Sequence, residues 1–148
     1  MKQQVVFLLS LLLVVLASCK NEPKQEAYNP FATPEGCVKE YLAAKDSNNV
    51  AKMLSCFKYE AQYESMLREH LQETLEKDNR YKDIHYVKTD SVKLKEMYPN
   101  SSVVTVYYTS YDGKTHQKSY SNDYTMNLVK DSTNWKIEVR IGFGVSVN

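Results

Sequence analysis

Apolar positions along this chain change their spacing three times, and each change marks a different kind of segment. From Val5 to Ala17 they are continuous apart from Ser10, whereas Lys20 to Pro30 is a polar stretch with Pro23 inside it and no periodicity. From Thr33 to about Asp78 apolar residues recur every three or four positions, the spacing of helices with one buried side. From Ile84 onward the period falls to two, the spacing of half-buried strands.

Thr33-Pro34-Glu35 opens the first helix. A threonine hydroxyl can accept from free amides, proline suits the first helical position, and a glutamate suits the positive end of the dipole. Cys37, Val38, Tyr41, Leu42 and Ala44 form its apolar side, and Asp46-Ser47-Asn48-Asn49 ends it and caps a second helix bearing Val50, Met53, Leu54 and Phe57. A third helix is predicted from about Glu60 to Asp78, with Tyr63, Met66, Leu67, His70, Leu71, Thr74 and Leu75 on one side. Its opposite side is charged, and pairs such as Glu64/Arg68 and Glu73/Lys77 read as a solvated face.

Among the strands, Val104, Val106 and Tyr108 alternate with Thr105, Tyr107 and Thr109, and Asp112-Gly113 is a pair that a tight hairpin turn favours. After Asp131-Ser132-Thr133-Asn134, Trp135, Ile137, Val139, Ile141, Phe143, Val145 and Val147 alternate with polar residues and glycines. Gly142 and Gly144 weaken a strand but permit the bend that a strongly curved sheet requires. Helices followed by strands define an α+β domain, with N-terminal helices packed on a curved antiparallel sheet of about four strands.

The first apolar run is about 13 residues long. That falls short of the roughly 20 that span a bilayer and suits the core of a secretory signal, here preceded by Lys2. The Leu16-Ala17-Ser18-Cys19 that follows resembles the lipobox of bacterial lipoproteins. The resemblance implies cleavage before Cys19, acylation of that cysteine, and anchorage to a membrane leaflet by chains contributing about 0.8 kcal/mol per buried CH₂. The expected organisation is a signal peptide at 1–18, a flexible tether at 19–32 and a folded domain at 33–148 in the cell envelope, on the outer membrane. Lys20 and Glu22 partly resemble a signal for surface export that Asn21 interrupts, which leaves the periplasmic and surface faces both open.

Two further stretches carry a family resemblance. Thr33-Pro34-Glu35 through Met53-Leu54-Ser55-Cys56-Phe57, and Leu128-Val129-Lys130-Asp131 followed by Asn134-Trp135-Lys136-Ile137, resemble small lipoproteins of the nuclear transport factor 2-like superfamily. The resemblance implies a cystatin-like cone able to enclose a pocket. It further implies relatives of several kinds: binding proteins, immunity or inhibitor lipoproteins, isomerases and dehydratases, some of them dimers through the outer face of the sheet.

Composition narrows the function classes. The 148 residues are 43% hydrophobic and 25% charged, which suits one globular domain and excludes a disordered tail or a multi-span membrane protein. The net charge of +1 gives no electrostatic reason to expect nucleic acid, and removal of Lys2 with the signal leaves the charges balanced. No cofactor loop, metal-ligand spacing or nucleophilic triad motif occurs, so neither metal nor cofactor is expected.

An isomerase in such a cone needs a carboxylate base opposite a hydrogen-bond donor. Asp90 and Asp123, with Tyr86, Tyr108, Tyr120 and Tyr124, are the available groups, and their spacing selects no pair. Twelve tyrosines supply either an aromatic recognition surface or half-buried strand positions, and Tyr107, Tyr111 and Tyr120 are the foremost interaction candidates. His70, on the apolar side of the third helix, is a core or rim histidine or a pocket residue. Cys37 and Cys56 can form a disulfide or fill small apolar sites. Asp90-Ser91-Val92 and Asp131-Ser132-Thr133 resemble short sites of envelope glycosylation, which makes Ser91 and Ser132 candidate glycan acceptors.

These features lead to the expectation of a lipid-anchored envelope protein, a non-catalytic module for a small ligand or a protein partner. Cys19→Ser is expected to abolish the acyl mass increment on the N-terminal peptide and to leave the folded domain's melting temperature unchanged, read by mass spectrometry and thermal denaturation. Retention of the acyl mass would refute the anchor.

Overall fold

Caps set the positions of the first two helices. In the computed structural model, which describes residues 28–139, the Thr33 hydroxyl accepts from the Gly36 amide at 3.1 Å and opens helix α1, Pro34–Asp46. Glycine at position 36 lets a 3₁₀ turn over Pro30–Ala32 lie directly on the helix, since a Cβ there would collide with the Pro30 carbonyl oxygen. Asn48, with φ of 54°, takes the left-handed conformation that ends helices and that asparagine tolerates. Asn49 then caps helix α2, Val50–Ser55, by accepting from the Lys52 amide at 3.0 Å.

Strand β1, Phe57–Lys58, follows at once, and a 3₁₀ turn over Ala61–Tyr63 leads into helix α3, Glu64–Tyr81. Four longer segments complete the described chain: β2, His85–Met97; β3, Ser101–Asp112; β4, Lys118–Asp131; and β5, Asn134–Glu138. The sheet runs in the order β1-β5-β4-β3-β2, antiparallel except where β1 lies parallel to β5 through Phe57 opposite Ile137. Bulges between Thr89 and Ser91, Leu94 and Glu96, and Ser110 and Tyr111 bend it.

The α+β architecture is the expected one, but the sheet is five-stranded and mixed. Phe57, placed in the second helix by its spacing, belongs to β1 because the backbone leaves α2 at Cys56, whose carbonyl accepts from the Ile137 amide at 2.8 Å. The third helix starts and ends later than its pattern suggested, and its buried stripe is only Leu67, Leu71 and Leu75. Met66 and His70 are exposed, so His70 is not a core histidine.

Asp112-Gly113 does not form a two-residue turn. Five residues separate β3 from β4, and the Asp112 carboxylate organises them by accepting from the Lys114 amide, the Thr115 amide and the Thr115 hydroxyl. Those bonds, led by the Thr115 amide, hold its carboxyl below the usual range. Gly113 donates to Ile84 and packs against the 82–84 backbone, where a Cβ would clash. The last strand is described as far as Glu138, and Ile141, Gly142, Phe143, Gly144, Val145 and Val147 lie outside the described residues, as does Cys19.

Two cores result. Between α1 and the sheet lie Cys37, Val38, Cys56, Val104, Val106, Leu128, Trp135 and Ile137. Between the helices lie Ala44, Met53, Leu54, Leu67, Leu71 and Leu75. Tyr41 and Phe57 pack against both, with their rings edge to face at 5.3 Å. Surface ion pairs such as Lys45 with Asp78, at 2.7 Å, join α1 to α3 and contribute little beside this burial.

Leu71→Ala, at a 3% exposed site, is expected to cost about 2–5 kcal/mol in urea unfolding, while Met66→Ala, at a 52% exposed site, is expected to change stability by about 0.5 kcal/mol or less. Equal effects would contradict the helix orientation. Burial pushes the Tyr41 phenol up to about 12, with the nearby Tyr124 and Asp78 adding to the effect. The unfolded chain releases that proton near pH 10. Tyr41's contribution is therefore complete below pH 10 and is lost as pH rises toward 12, because the native state then holds a proton that the unfolded state has given up. Tyr41→Phe is expected to make the alkaline fall of the urea midpoint shallower, and an unaltered slope would contradict this burial.

Candidate functional site

The helices cover one face of the sheet, and strand alternation assigns every other side chain to the outer face. On β3, Val104 and Val106 face the helices, whereas Thr105, Tyr107 and Thr109 face outward. Thr105 and Thr109 are nevertheless buried, because neighbouring outward side chains cover the middle of the sheet. The Thr109 hydroxyl donates to Asp90 Oδ2 at 2.7 Å and lies 2.8 Å from the Ser121 hydroxyl, a polar cluster closed on itself.

Beside that cluster, the register places Ser91, Tyr107 and Asp123 in one row and Lys93, Thr105 and Thr125 in the next. These rows form a groove of about 370 Å³ on the outer face, with Lys93 and Lys95 along one wall and Asp123 along the other. Lys93 Nζ stands 5.3 Å from the centre of the Tyr107 ring, within cation–π range. Tyr107 is 39% exposed, so its ring remains open to a ligand.

A second aromatic group lies toward the far end of the same face. The Tyr86 and Tyr111 rings stack at 5.3 Å with 12° between their planes, and Lys88 Nζ lies 5.7 and 5.3 Å from their centres. His116 Nδ1 is 3.3 Å from the Tyr86 hydroxyl. The bulge at Asp90 unites the two groups: it reverses the alternation of β2, so that Lys88 before it and Lys93 after it both turn outward.

Tyr120 belongs elsewhere. It lies against Tyr108, ring centres 6.5 Å apart, and Tyr108 lies 5.9 Å from Tyr124, all three on the helix-facing side. Burial, with Tyr108 nearby, raises the Tyr124 phenol. The structure therefore brings Tyr107 and Tyr111 to one face, places Tyr120 on the other, and leaves His70 on the exposed side of α3.

Both strand aspartates turn outward, Asp90 to Thr109 and Asp123 into the groove, and neither joins the tyrosine cluster on the helix-facing side. Cys37 and Cys56 are buried free thiols. Ser91 is half-buried on β2, while Ser132 is exposed at the tip of the β4–β5 hairpin with φ of 59°. Among the described residues no cluster of three His, Cys, Asp or Glu side chains could hold a metal ion, and no helix is long and apolar enough to cross a membrane.

Lys93 and Lys95 were not singled out by sequence. Their signal was present in the lysine spacing along β2, but an outward direction for Lys88 and Lys93 together follows only once the bulge is known.

No family model and no curated protein matches this chain. Solved structures do. A proposed NTF2-like transpeptidase from Campylobacter jejuni superposes with a TM-score of 0.53 at 11% identity, over 73% of this chain and 99% of its own. A proposed calcium/calmodulin-dependent protein kinase type II association domain from Thiobacillus denitrificans gives 0.56 at 10% identity, over 74% and 93%. A proposed ketosteroid isomerase from Shewanella frigidimarina gives 0.50 at 17% identity, over 71% and 90%. Similarity at this level of identity establishes architecture and not activity. With its helices packed across a bent, five-stranded mixed sheet, the chain has the NTF2-like fold.

Proposed function

We propose that this chain is a lipid-anchored protein of the cell envelope, on the outer membrane, that works as a non-catalytic binding module and takes its ligand or protein partner on the outer face of the sheet. The observation that carries the reading is the groove beside Tyr107, where an exposed ring, two lysines and an aspartate line about 370 Å³. A tyrosine offers contact area at little entropic cost, and charges of both signs on facing walls give orientation. The stacked Tyr86 and Tyr111 with Lys88 extend the same face and suit a broad contact. That breadth favours a protein partner, as an inhibitor or immunity lipoprotein would have, over a small enclosed ligand. A second copy of the chain is one form that such a partner can take.

The isomerase or dehydratase alternative is weaker. It requires a carboxylate inside the cone, and Asp90 and Asp123 both turn outward. The anchor rests on the lipobox resemblance at Cys19, with residues 19–32 as the tether, and exposed Ser132 is the better placed of the two candidate glycan acceptors.

Native mass spectrometry of the lipidated protein, extracted gently from its own envelope, is expected to reveal a bound mass, and the size of that mass separates small ligand, foreign polypeptide and second copy. Tyr107→Ala is expected to weaken retention about tenfold or more while leaving the melting temperature within a few degrees. A bare chain, or a bound mass retained equally by Tyr107→Ala, would overturn the outer-face assignment. Protease treatment of intact cells then distinguishes the leaflets, since a domain facing the periplasm survives it.

A further inference from the structure

Cys37 and Cys56 are both fully buried in the core between α1 and the sheet, among Val38, Val104, Leu128 and Ile137. They meet from two directions. Cys37 projects from α1, and Cys56 stands where α2 gives way to β1. Cys37 Sγ donates to the Cys56 carbonyl oxygen at 3.6 Å, and Cys56 Sγ donates to the Lys52 carbonyl at 3.3 Å. The backbone is held at both sites: the Cys37 amide donates to Thr33 at 3.1 Å, and the Cys56 amide donates to Met53 at 3.0 Å. The Cys37 sulfur thus lies against the backbone of Cys56 itself, and the Cys56 side chain needs only to turn from the Lys52 carbonyl for the two sulfurs to join.

We propose that Cys37 and Cys56 are a disulfide-forming pair, oxidised by thiol–disulfide exchange as the chain folds. The thiolate of Cys56 attacks a disulfide RS–SR, of glutathione or of a protein oxidant, forming a mixed disulfide and releasing one RSH. The thiolate of Cys37 then attacks the Cys56 sulfur, forms the internal bond and releases the second RSH. The two thiols give up two electrons and two protons, which reduce one RS–SR to two RSH. The two cysteines can exchange these roles, because both thiols are open to solvent before the core closes. Neither sulfur is accessible in the folded chain, so exchange precedes closure of α1 over the sheet, and the finished bond is shielded from reductant. It ties the first helix to the corner where helices become sheet, closing a loop between residues 19 positions apart. The bond is independent of what the outer face binds.

The full chain, reduced and unfolded in guanidinium, is refolded by dilution either into a glutathione redox buffer or into dithiothreitol. Free thiols are then alkylated and the protein is digested with trypsin. The glutathione sample is expected to yield the peptide 25–39 linked to 53–58, with 2 Da lost, and to melt about 10 °C above the dithiothreitol sample. Recovery of both peptides alkylated, linkage of either to glutathione, to Cys19 or to another chain, or a bonded chain that melts lower than the reduced one would overturn the proposal. If the chain does not refold, the same map is made on protein alkylated directly in the cell envelope; the linked peptide is expected there too, and separate alkylated peptides would refute the pair.

Discussion

The fold turns on a single hydrogen bond, from the Ile137 amide to the Cys56 carbonyl at 2.8 Å. At that point a chain running as helix is caught by the last described strand and becomes β1 for two residues, with Phe57 opposite Ile137 and Lys58 opposite Glu138. The pairing fixes Phe57 where it can serve both cores at once, edge to face with Tyr41. Without it the helical core and the sheet core would share only the span of α1. Burial of apolar surface drives both cores, but this directional contact makes them one structure.

Given that frame, the sheet has two unlike faces. One packs against α1 through Val104, Val106, Leu128 and Ile137, and leaves Tyr120 half exposed toward its end. The other carries tyrosines, threonines and lysines whose polar ends need water, one another or a partner. Across β2, β3 and β4 the middle of this face satisfies itself, as Asp90, Thr109 and Ser121 do. At the flanks, Tyr107 with Lys93 and Tyr86 with Tyr111 keep partly open rings, the surface on which the proposed recognition rests.

Features governed by neighbours in sequence were legible in the sequence. Thr33 and Asn49 cap as their side chains dictate, the spacing of Leu67, Leu71 and Leu75 marks the buried stripe of α3, and the change of period after Ile84 separates helices from strands. Features governed by distant partners were not. Phe57 lies four residues after Met53 and fits a helix equally well, and only Ile137, far along the chain, makes it a strand. Tyr107 and Tyr111 share a face by parity alone, but the face of Tyr120 depends on the register of β4, which sets it opposite Ser110. His70 illustrates the limit of periodicity: it lies at helical intervals from Leu67 and Thr74, yet the stripe that α1 and α2 cover is narrower than the pattern suggests.

The same bulges that steer the lysines of β2 also bear on how these molecules behave in a crowd. A sheet with two open margins invites a neighbour to add a strand. Among the described residues one margin, β1, is only two residues long and carries an ion pair from Lys58 to Asp131, too short a template for another chain to lengthen. The other, β2, is kinked twice and studded with Lys88, Lys93 and Lys95, so an approaching strand meets both a broken hydrogen-bonding ladder and positive charge. If the chain is held in two dimensions by the proposed lipid anchor, it meets its own kind often, and margins of this kind disfavour the joining of strand to strand.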